Sequence, residues 1–136
     1  LVPLYRELSL PAVCCEPHAL GARLMRRAGV ELAVQAAGEA LPFRSGIFRT
    51  ALVTWVLHHD TENVDAARVL SETARALAPG GRLLVVEPLD EDFSLRRLGE
   101  LLRAAGFVVE RTERFWEERG EDGKARDQTL AAARKS

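Results

Sequence analysis

Four side chains capable of acid–base chemistry stand at the ends of apolar runs. They are Glu16, the adjacent pair His58 and His59, and Glu87, and each group directly follows an apolar run. At the end of a buried strand, a carboxylate can accept hydrogen bonds from the vicinal hydroxyls of a ribose. Histidine can act as a general base or contact a substrate, because it changes charge near neutral pH. The sequence therefore offers candidate sugar-binding and proton-transfer groups.

Each of these groups also has an ordinary structural interpretation. Glu16 precedes Pro17 and a helical pattern, so its carboxylate can equally favour the positive end of a helix dipole. The two histidines can be polar residues that end a strand without a functional role, and Glu87 can simply end its strand. Adjacent histidines are a poor chelating pair, so we expect no metal site. Trp55 and Trp116 are interpreted as core or hairpin packing.

The elements that would position these groups alternate between strands and helices and end in a hairpin. Such an alternation predicts an α/β fold with a mostly parallel sheet, helices on both faces and a C-terminal antiparallel hairpin strand. We expect one domain spanning residues 1–136. Strands are predicted at residues 12–15, 30–34, 50–57, 83–86, 107–116 and 128–133, and helices at residues 17–28, up to 77, and 94–106.

Individual residues predict where several of these elements begin and end and which of their faces are buried. Residues 60–63 can cap the helix that ends near residue 77. Gly80 and Gly81 can accept the positive φ angles that end that helix and reverse the chain. The helix over residues 17–28 would turn Leu20 and Leu24 inward. Residues 50–57 are apolar on both faces, so their strand is predicted to be central.

Composition limits the class of protein. The chain has 136 residues and a net charge of -1, which gives no electrostatic case for binding nucleic acid or an anionic membrane. No apolar run approaches the ~20 residues that span a bilayer, and no secretory signal is recognised. Cys14 and Cys15 are adjacent and cannot easily pair with each other. We therefore expect a reduced, cytoplasmic protein.

Four motifs in order resemble a known family. Residues 37–43 (AGEALPF), 55–59 (WVLHH), 77–88 (LAPGGRLLVVEP) and the turn at residues 104–107 are similar to the class I S-adenosylmethionine-dependent methyltransferases. The similarity is to the type 11-like subgroup, which acts mainly on small molecules, and it runs from about Ala12 to the end. It implies a Rossmann-like sheet, S-adenosylmethionine as cofactor, and methyl transfer to a small-molecule substrate.

The resemblance also implies roles for individual residues. None is assigned a catalytic role, because the family's chemistry depends largely on positioning two reactants. The implied cofactor-binding residues are Glu16 and Pro17 at the ribose, Ala37, Gly38 and Glu39 near the adenine, and Thr54 near the methionine moiety, with His58, His59 and Glu87 on the substrate side.

The chain departs from the family pattern in three ways. The family's first strand and glycine-rich loop are not found before Ala12, so we expect an N-terminally incomplete fold. Ala37 and Arg49 stand where family members often carry acids. The alternative is therefore a degenerate, non-catalytic domain that acts as a partner subunit or interaction module. Without the central strand, two strand edges would pair with each other or be covered by a second copy or a partner chain.

Overall fold

A computed structural model describes residues 11–59, 63–119 and 125–136, without the side chains of residues 115–119 and 125–127. Within these ranges the chain forms six strands, three α-helices and one short 3-10 helix at Leu57–His59. The strands are β1 (Val13–Glu16), β2 (Leu32–Gln35), β3 (Phe48–Thr54), β4 (Leu77–Leu89), β5 (Phe107–Arg119) and β6 (Ala125–Lys135). The helices are α1 (Ala19–Arg27), α2 (Ala66–Ala76) and α3 (Leu95–Ala104).

The strands form two sheets. β1 and β2 pair in parallel, and the second sheet has the order β3-β4-β6-β5. In it β3 and β4 are parallel, whereas β6 runs antiparallel to both β4 and β5. The predicted α/β class with parallel strands and a C-terminal antiparallel hairpin is confirmed.

The position of β3 differs from the prediction. β3 was expected to be central, yet among the described residues it pairs only with β4 and lies at the edge of its sheet. The strand also ends at Thr54, three residues earlier than predicted. Its side chains are half-buried or exposed along the whole length, which agrees with an edge position.

The chain divides into two compact units, which we call the first unit (Leu1–Pro42) and the second unit (Phe43–Ser136). The second unit holds an extended hydrophobic core between its sheet and the helices α2 and α3. Its largest fully buried apolar side chains are Leu57, Leu70, Leu77, Leu83, Val85, Leu98 and Leu102. Whether the two units form the single domain predicted from the sequence stays a prediction.

The described part of the first unit buries only small apolar side chains, Ala22 on α1 and Ala33 on β2. The predicted inward face of α1 is wrong, because Leu20 is 59% exposed and Leu24 is 52% exposed. Instead the guanidinium of Arg26 donates hydrogen bonds of 3.2 and 2.9 Å to the backbone oxygen of Ala33. This contact fixes α1 on β2 with the small residues between them.

The caps of the two longer helices come from side chains. Residues 60–62 lie outside the described residues, and the N-cap of α2 is Asp65, whose carboxylate accepts from the Arg68 N–H at 2.9 Å. Ser94 caps α3 as predicted, by accepting from the Arg97 N–H at 3.3 Å. Both caps satisfy backbone donors that have no partner within the helix.

The glycine pair after α2 forms an irregularity inside β4 rather than a turn between two elements. Gly80 has a φ of +70°, as predicted, but Gly81 does not have a positive φ. A Cβ atom at Gly81 would instead lie 2.8 Å from the backbone oxygen of Ala78 and 3.3 Å from that of Arg49. Gly81 therefore permits the close approach of two backbone segments, where the register of β3 and β4 shifts.

Candidate functional site

The candidate site residues divide between the two units. Glu16, Pro17, Ala37, Gly38 and Glu39 belong to the first unit, and Thr54, His58, His59 and Glu87 belong to the second. Within each unit they lie at or just beyond the point where parallel strand pairing ends, and ligands bind at this edge in open α/β sheets.

In the second unit, the carboxylate of Glu87 is fully buried, accepts three backbone hydrogen bonds and contacts the ring of His58. Its Oε1 accepts from the N–H groups of Val56 at 2.8 Å and Leu57 at 3.0 Å. Its Oε2 accepts from the His58 N–H at 3.3 Å and lies 2.8 Å from the ring Nδ1 of His58. Glu87 is 0% exposed, so it neither faces solvent nor merely ends its strand.

The same contacts explain the 3-10 helix at Leu57–His59. Three successive backbone N–H groups at the start of this turn converge on one carboxylate, so their donors are satisfied without a longer helix. A negative charge at the N-terminus of a helical turn is also favourable. Glu87 on β4 therefore holds the segment after β3 in place.

The ring of His58 lies in a small aromatic cluster at the end of β3. Its side chain is 21% exposed. The ring centroid lies 3.9 Å from that of His59 and 6.1 Å from that of Trp55, the latter in an edge-on arrangement. The structure thus brings together three of the predicted second-unit residues, namely His58, His59 and Glu87.

Trp55 is not a core residue, contrary to the interpretation drawn from the sequence. Its side chain is 53% exposed, and its backbone φ is +57°, an angle that bulky residues rarely adopt. The Trp55 N–H still bonds the Val86 oxygen at 3.0 Å, so the ladder continues to this residue and the chain then turns sharply. Such outliers concentrate at functional sites. The side chain of Trp116 lies outside the described residues.

Thr54 is the last residue of β3 and pairs with Val86 of β4. Its side chain is half-buried and makes no hydrogen bond among the described residues. It lies directly beside Trp55 in the chain, and its role in holding a cofactor stays a prediction.

In the first unit, Glu16 ends β1 and turns its carboxylate back over the start of α1. Its Oε1 accepts from the His18 N–H at 3.0 Å. Gly21 makes room for this side chain, because a Cβ atom there would lie 2.6 Å from the Cγ of Glu16 and 2.9 Å from Oε1. Gly21 was not predicted from the sequence as a site residue. The only signal for it was its position three residues after His18, about one helical turn along the chain.

The neighbourhood of Glu16 is built by backbone contacts. The Ala36 N–H bonds the Glu16 oxygen at 3.2 Å, which continues the β1–β2 pairing by one residue. The Gln35 side chain donates to the Pro17 oxygen at 3.2 Å. Pro17 itself precedes α1, whose first helical residue is Ala19.

The loop predicted to lie near an adenine begins with a turn. The Ala40 N–H donates to the Ala37 oxygen at 3.1 Å, so Gly38 and Glu39 occupy the middle of this turn. Phe43 belongs to the second unit, where its ring packs edge-on against Phe48 with centroids 5.0 Å apart. Phe43 thus packs against β3 of the second unit.

The described part of the chain has neither a metal-binding cluster nor a helix that could span a membrane. No group of three His, Cys, Asp or Glu side chains in that part could hold a metal ion. No helix there is long and apolar enough to cross a membrane. Both cysteines are free thiols, and burial raises the pKa of each, with the neighbouring Cys14 raising that of Cys15 further.

Comparison with known proteins places these features in a family context. A family model described as a methyltransferase domain matches residues 4–85, more than half of the chain. No curated protein sequence matches.

Solved structures share the fold at low sequence identity. An S-adenosylmethionine-dependent methyltransferase from Methanosarcina mazei is 16% identical, with a TM-score of 0.73 over 89% of this chain and 80% of that one. A Thermotoga maritima methyltransferase, described as a possible histamine N-methyltransferase, is 20% identical, with a TM-score of 0.72 over 99% and 75%. The geranyl diphosphate C-methyltransferase of Streptomyces coelicolor is 16% identical, with a TM-score of 0.77 over 99% and 66%. At these identities the likeness concerns the fold alone.

Proposed function

The chain belongs to the methyltransferase domain family, and on that premise we propose that it transfers a methyl group from S-adenosylmethionine to a small-molecule substrate. The cofactor is the one that the resemblance implies, and it supplies an activated methyl group on a positively charged sulfur. The chain's own contribution is to bind this group, orient the acceptor atom and manage the acceptor's proton.

The observation that carries the proposal is the state of Glu16. One carboxylate oxygen is fixed by the His18 N–H, whereas Oε2 has no hydrogen-bond partner among the described residues. An oriented carboxylate with a remaining acceptor suits the vicinal hydroxyls of a ribose. The glycine at position 21 fits this use, since any side chain there would displace the carboxylate. Glu16 thus serves as helix-start acid and ribose acceptor together.

The remaining cofactor contacts are assigned on the same grounds. The turn that holds Gly38 and Glu39 follows β2, next to the strand that carries Glu16, and in our proposal it borders the adenine. Pro17 and Ala37 flank these two groups along the chain. Thr54 ends β3, and in our proposal it borders the methionine moiety.

The substrate side is assigned to the second unit. Trp55, His58 and His59 present an aromatic and imidazole cluster at the end of β3, and the ring of Trp55 is more than half exposed. Sites for small organic molecules are lined mainly by aromatic and apolar side chains with a few polar groups, as in this cluster. Two structural neighbours are described by small-molecule substrates, histamine and geranyl diphosphate, which agrees with this class. The net charge of -1 gives no support for a nucleic-acid substrate.

The free thiols of Cys14 and Cys15 favour a reducing compartment, and we propose the cytoplasm. A second copy or a partner chain that pairs with the outer edge of β3 belongs to the same proposal. Among the described residues that edge has no strand beside it, and unpaired edges are usually covered.

Calorimetric titration with S-adenosylhomocysteine tests the proposed cofactor site. We expect the wild-type chain to bind and Glu16→Ala to bind about tenfold or more weakly, because a hydrogen-bonding acceptor is lost. Glu31→Ala removes the same charge from an exposed position in the first unit and should bind like the wild type. Equal affinity in all three proteins would show that Glu16 acts only as an acid at the start of a helix and does not contact the cofactor.

A second candidate function rests on Ala37 and Arg49. Both are exposed, and both stand where the family often carries acids. If the wild-type chain does not bind the cofactor in this titration, these positions favour a non-catalytic methyltransferase-like domain that serves as a partner subunit.

A further inference from the structure

We propose that Glu87 is a positioning residue that fixes His58 with its proton on Nδ1, so that Nε2 accepts the proton of a hydroxyl substrate during methylation. The inference rests on the proposed function for its reaction. Its structural half, the tautomer of His58, can be tested on the chain alone.

The tautomer follows from the hydrogen bonds of Glu87. Each oxygen of an ionised carboxylate can only accept, so a ring nitrogen 2.8 Å from Oε2 must be the donor. Three backbone N–H groups already point at the same carboxylate and cannot act as acceptors. They hold both oxygens in place. Nδ1 of His58 therefore carries the hydrogen, and a neutral ring then leaves Nε2 with its lone pair.

Nε2 is available for a ligand. It has no hydrogen-bond partner among the described residues, and the side chain is 21% exposed. The ring cannot turn freely, because Nδ1 is bonded and the rings of Trp55 and His59 lie against it. A buried carboxylate, an oriented imidazole and a free nitrogen form the arrangement that activates hydroxyl groups in other enzymes.

This arrangement selects a class of substrate. A neutral amine can attack a methyl group with its own lone pair, whereas an alcohol or phenol must lose its proton as it reacts. In the proposed step the substrate O–H bond breaks and an N–H bond forms at Nε2 of His58. The oxygen forms the new C–O bond, and the electron pair of the broken C–S bond stays on the sulfur, which leaves as neutral S-adenosylhomocysteine. Glu87 then faces an imidazolium, whose charge it stabilises, until the proton passes to solvent.

Glu87→Gln should invert the tautomer and keep the two short backbone bonds of the cap. Oε1 accepts two backbone bonds at 2.8 and 3.0 Å, and Oε2 accepts only one, at 3.3 Å. The amide oxygen should therefore take the Oε1 position and the NH₂ group the Oε2 position. An NH₂ group that faces Nδ1 requires Nδ1 to accept, which moves the ring proton to Nε2.

Nitrogen-15 NMR of the imidazole rings tests the tautomer directly. With His58→Gln used to assign the signals, wild-type His58 should show a protonated Nδ1 and an unprotonated Nε2, and Glu87→Gln should show the reverse. His18 serves as the internal reference, and Ser94→Ala controls for a general loss of stability, since it removes the cap of α3. A wild-type His58 with its proton on Nε2, or an unchanged pattern in Glu87→Gln, would overturn the proposal.

Acylation by diethyl pyrocarbonate, mapped by mass spectrometry, tests whether Nε2 is reachable. We expect His58 to react in the wild type and to react about tenfold or more slowly in Glu87→Gln, since a single misplaced hydrogen bond is worth about that factor. Saturating S-adenosylhomocysteine should protect His58. Reaction of His58 without protection by S-adenosylhomocysteine would support the tautomer and count against the proposed function. An unreactive wild-type His58 would refute the proposal that Nε2 of His58 accepts the substrate's proton.

Discussion

Replacement of Glu87 by alanine should cost more stability than most substitutions at exposed acids. The two short bonds to Oε1, from Val56 and Leu57, each connect a backbone donor to a buried carboxylate. Hydrogen bonds to charged groups contribute about 1.5–3 kcal/mol each, and the Leu57 donor is too deeply buried to find water. We therefore expect Glu87→Ala to lower the free energy of unfolding by about 3 kcal/mol or more.

Urea denaturation followed by circular dichroism measures this change. Glu87→Gln keeps an acceptor for the two short bonds and should lose only about 1 kcal/mol. Glu100→Ala removes an acid of α3 that pairs with Arg96 at the surface, and it should change stability by less than about 0.5 kcal/mol. A Glu87→Ala chain that is as stable as Glu100→Ala would refute the view that Glu87 holds the segment after β3.

Three further changes have defined outcomes. Gly81→Ala should lower the melting temperature, because a Cβ at Gly81 meets the Ala78 oxygen at 2.8 Å. Gly80→Ala should also lower it, because alanine is strained at a φ of +70°, so an unchanged melting temperature of Gly81→Ala in calorimetry is the result that would argue against the close approach. Trp55→Gly should lose little or no stability in urea, since glycine tolerates a φ of +57° and the lost side chain is half exposed; a loss above about 2 kcal/mol would make Trp55 a packing residue. Because burial raises the pKa of both thiols, the unfolded chain loses these protons at lower pH than the folded chain, so the free energy of unfolding should fall as the pH rises above 9.0, the ordinary pKa of a thiol. The double variant Cys14→Ser/Cys15→Ser should lack this fall, and an identical pH dependence in the variant would exclude the thiols as its cause.

Elements with a strong local pattern could be predicted from the sequence. The helix that begins after Ser94 has a cap, a regular apolar face and a terminal glycine, and the structure contains it with nearly the same bounds. The C-terminal hairpin was equally clear, because two runs suited to strands flank a polar segment. In these places local propensity and tertiary packing favour the same structure.

Features that depend on distant partners could not be predicted in this way. The early end of β3 and the positive φ of Trp55 occur beside the donors that bond Glu87, 31 residues further along the chain from Val56. Nothing near Trp55 in the sequence signals that partner. The inward face of α1 was wrong for a similar reason, because the Arg26 contact with Ala33 places small residues between helix and strand. Periodicity alone assumes that the larger apolar face is the buried one.

The structure shows hydrogen bonds for some of the predicted site residues, whereas the ligand-binding roles assigned to them stay predictions. Glu16 and Glu87 both lie where parallel strand pairing ends and both accept backbone hydrogen bonds, so each has a structural role that the sequence allowed. Their charge and spacing in the chain could not reveal that Glu87 is buried and bonded to His58. That pairing depends on the register of β3 with β4, which is a tertiary property.

The most direct test of the methyltransferase assignment is a titration of the nitrogen-15-labelled chain with S-adenosylhomocysteine, followed by its backbone amide spectrum. We predict that the signals of Gly38 and Glu39 and that of Gly21, which lies beside Glu16, shift together with one dissociation constant. Adenosine, which lacks the methionine moiety, should shift the same signals. A spectrum that S-adenosylhomocysteine leaves unchanged at millimolar concentration, or shifts that spare Gly38 and Glu39, would contradict the proposed cofactor site.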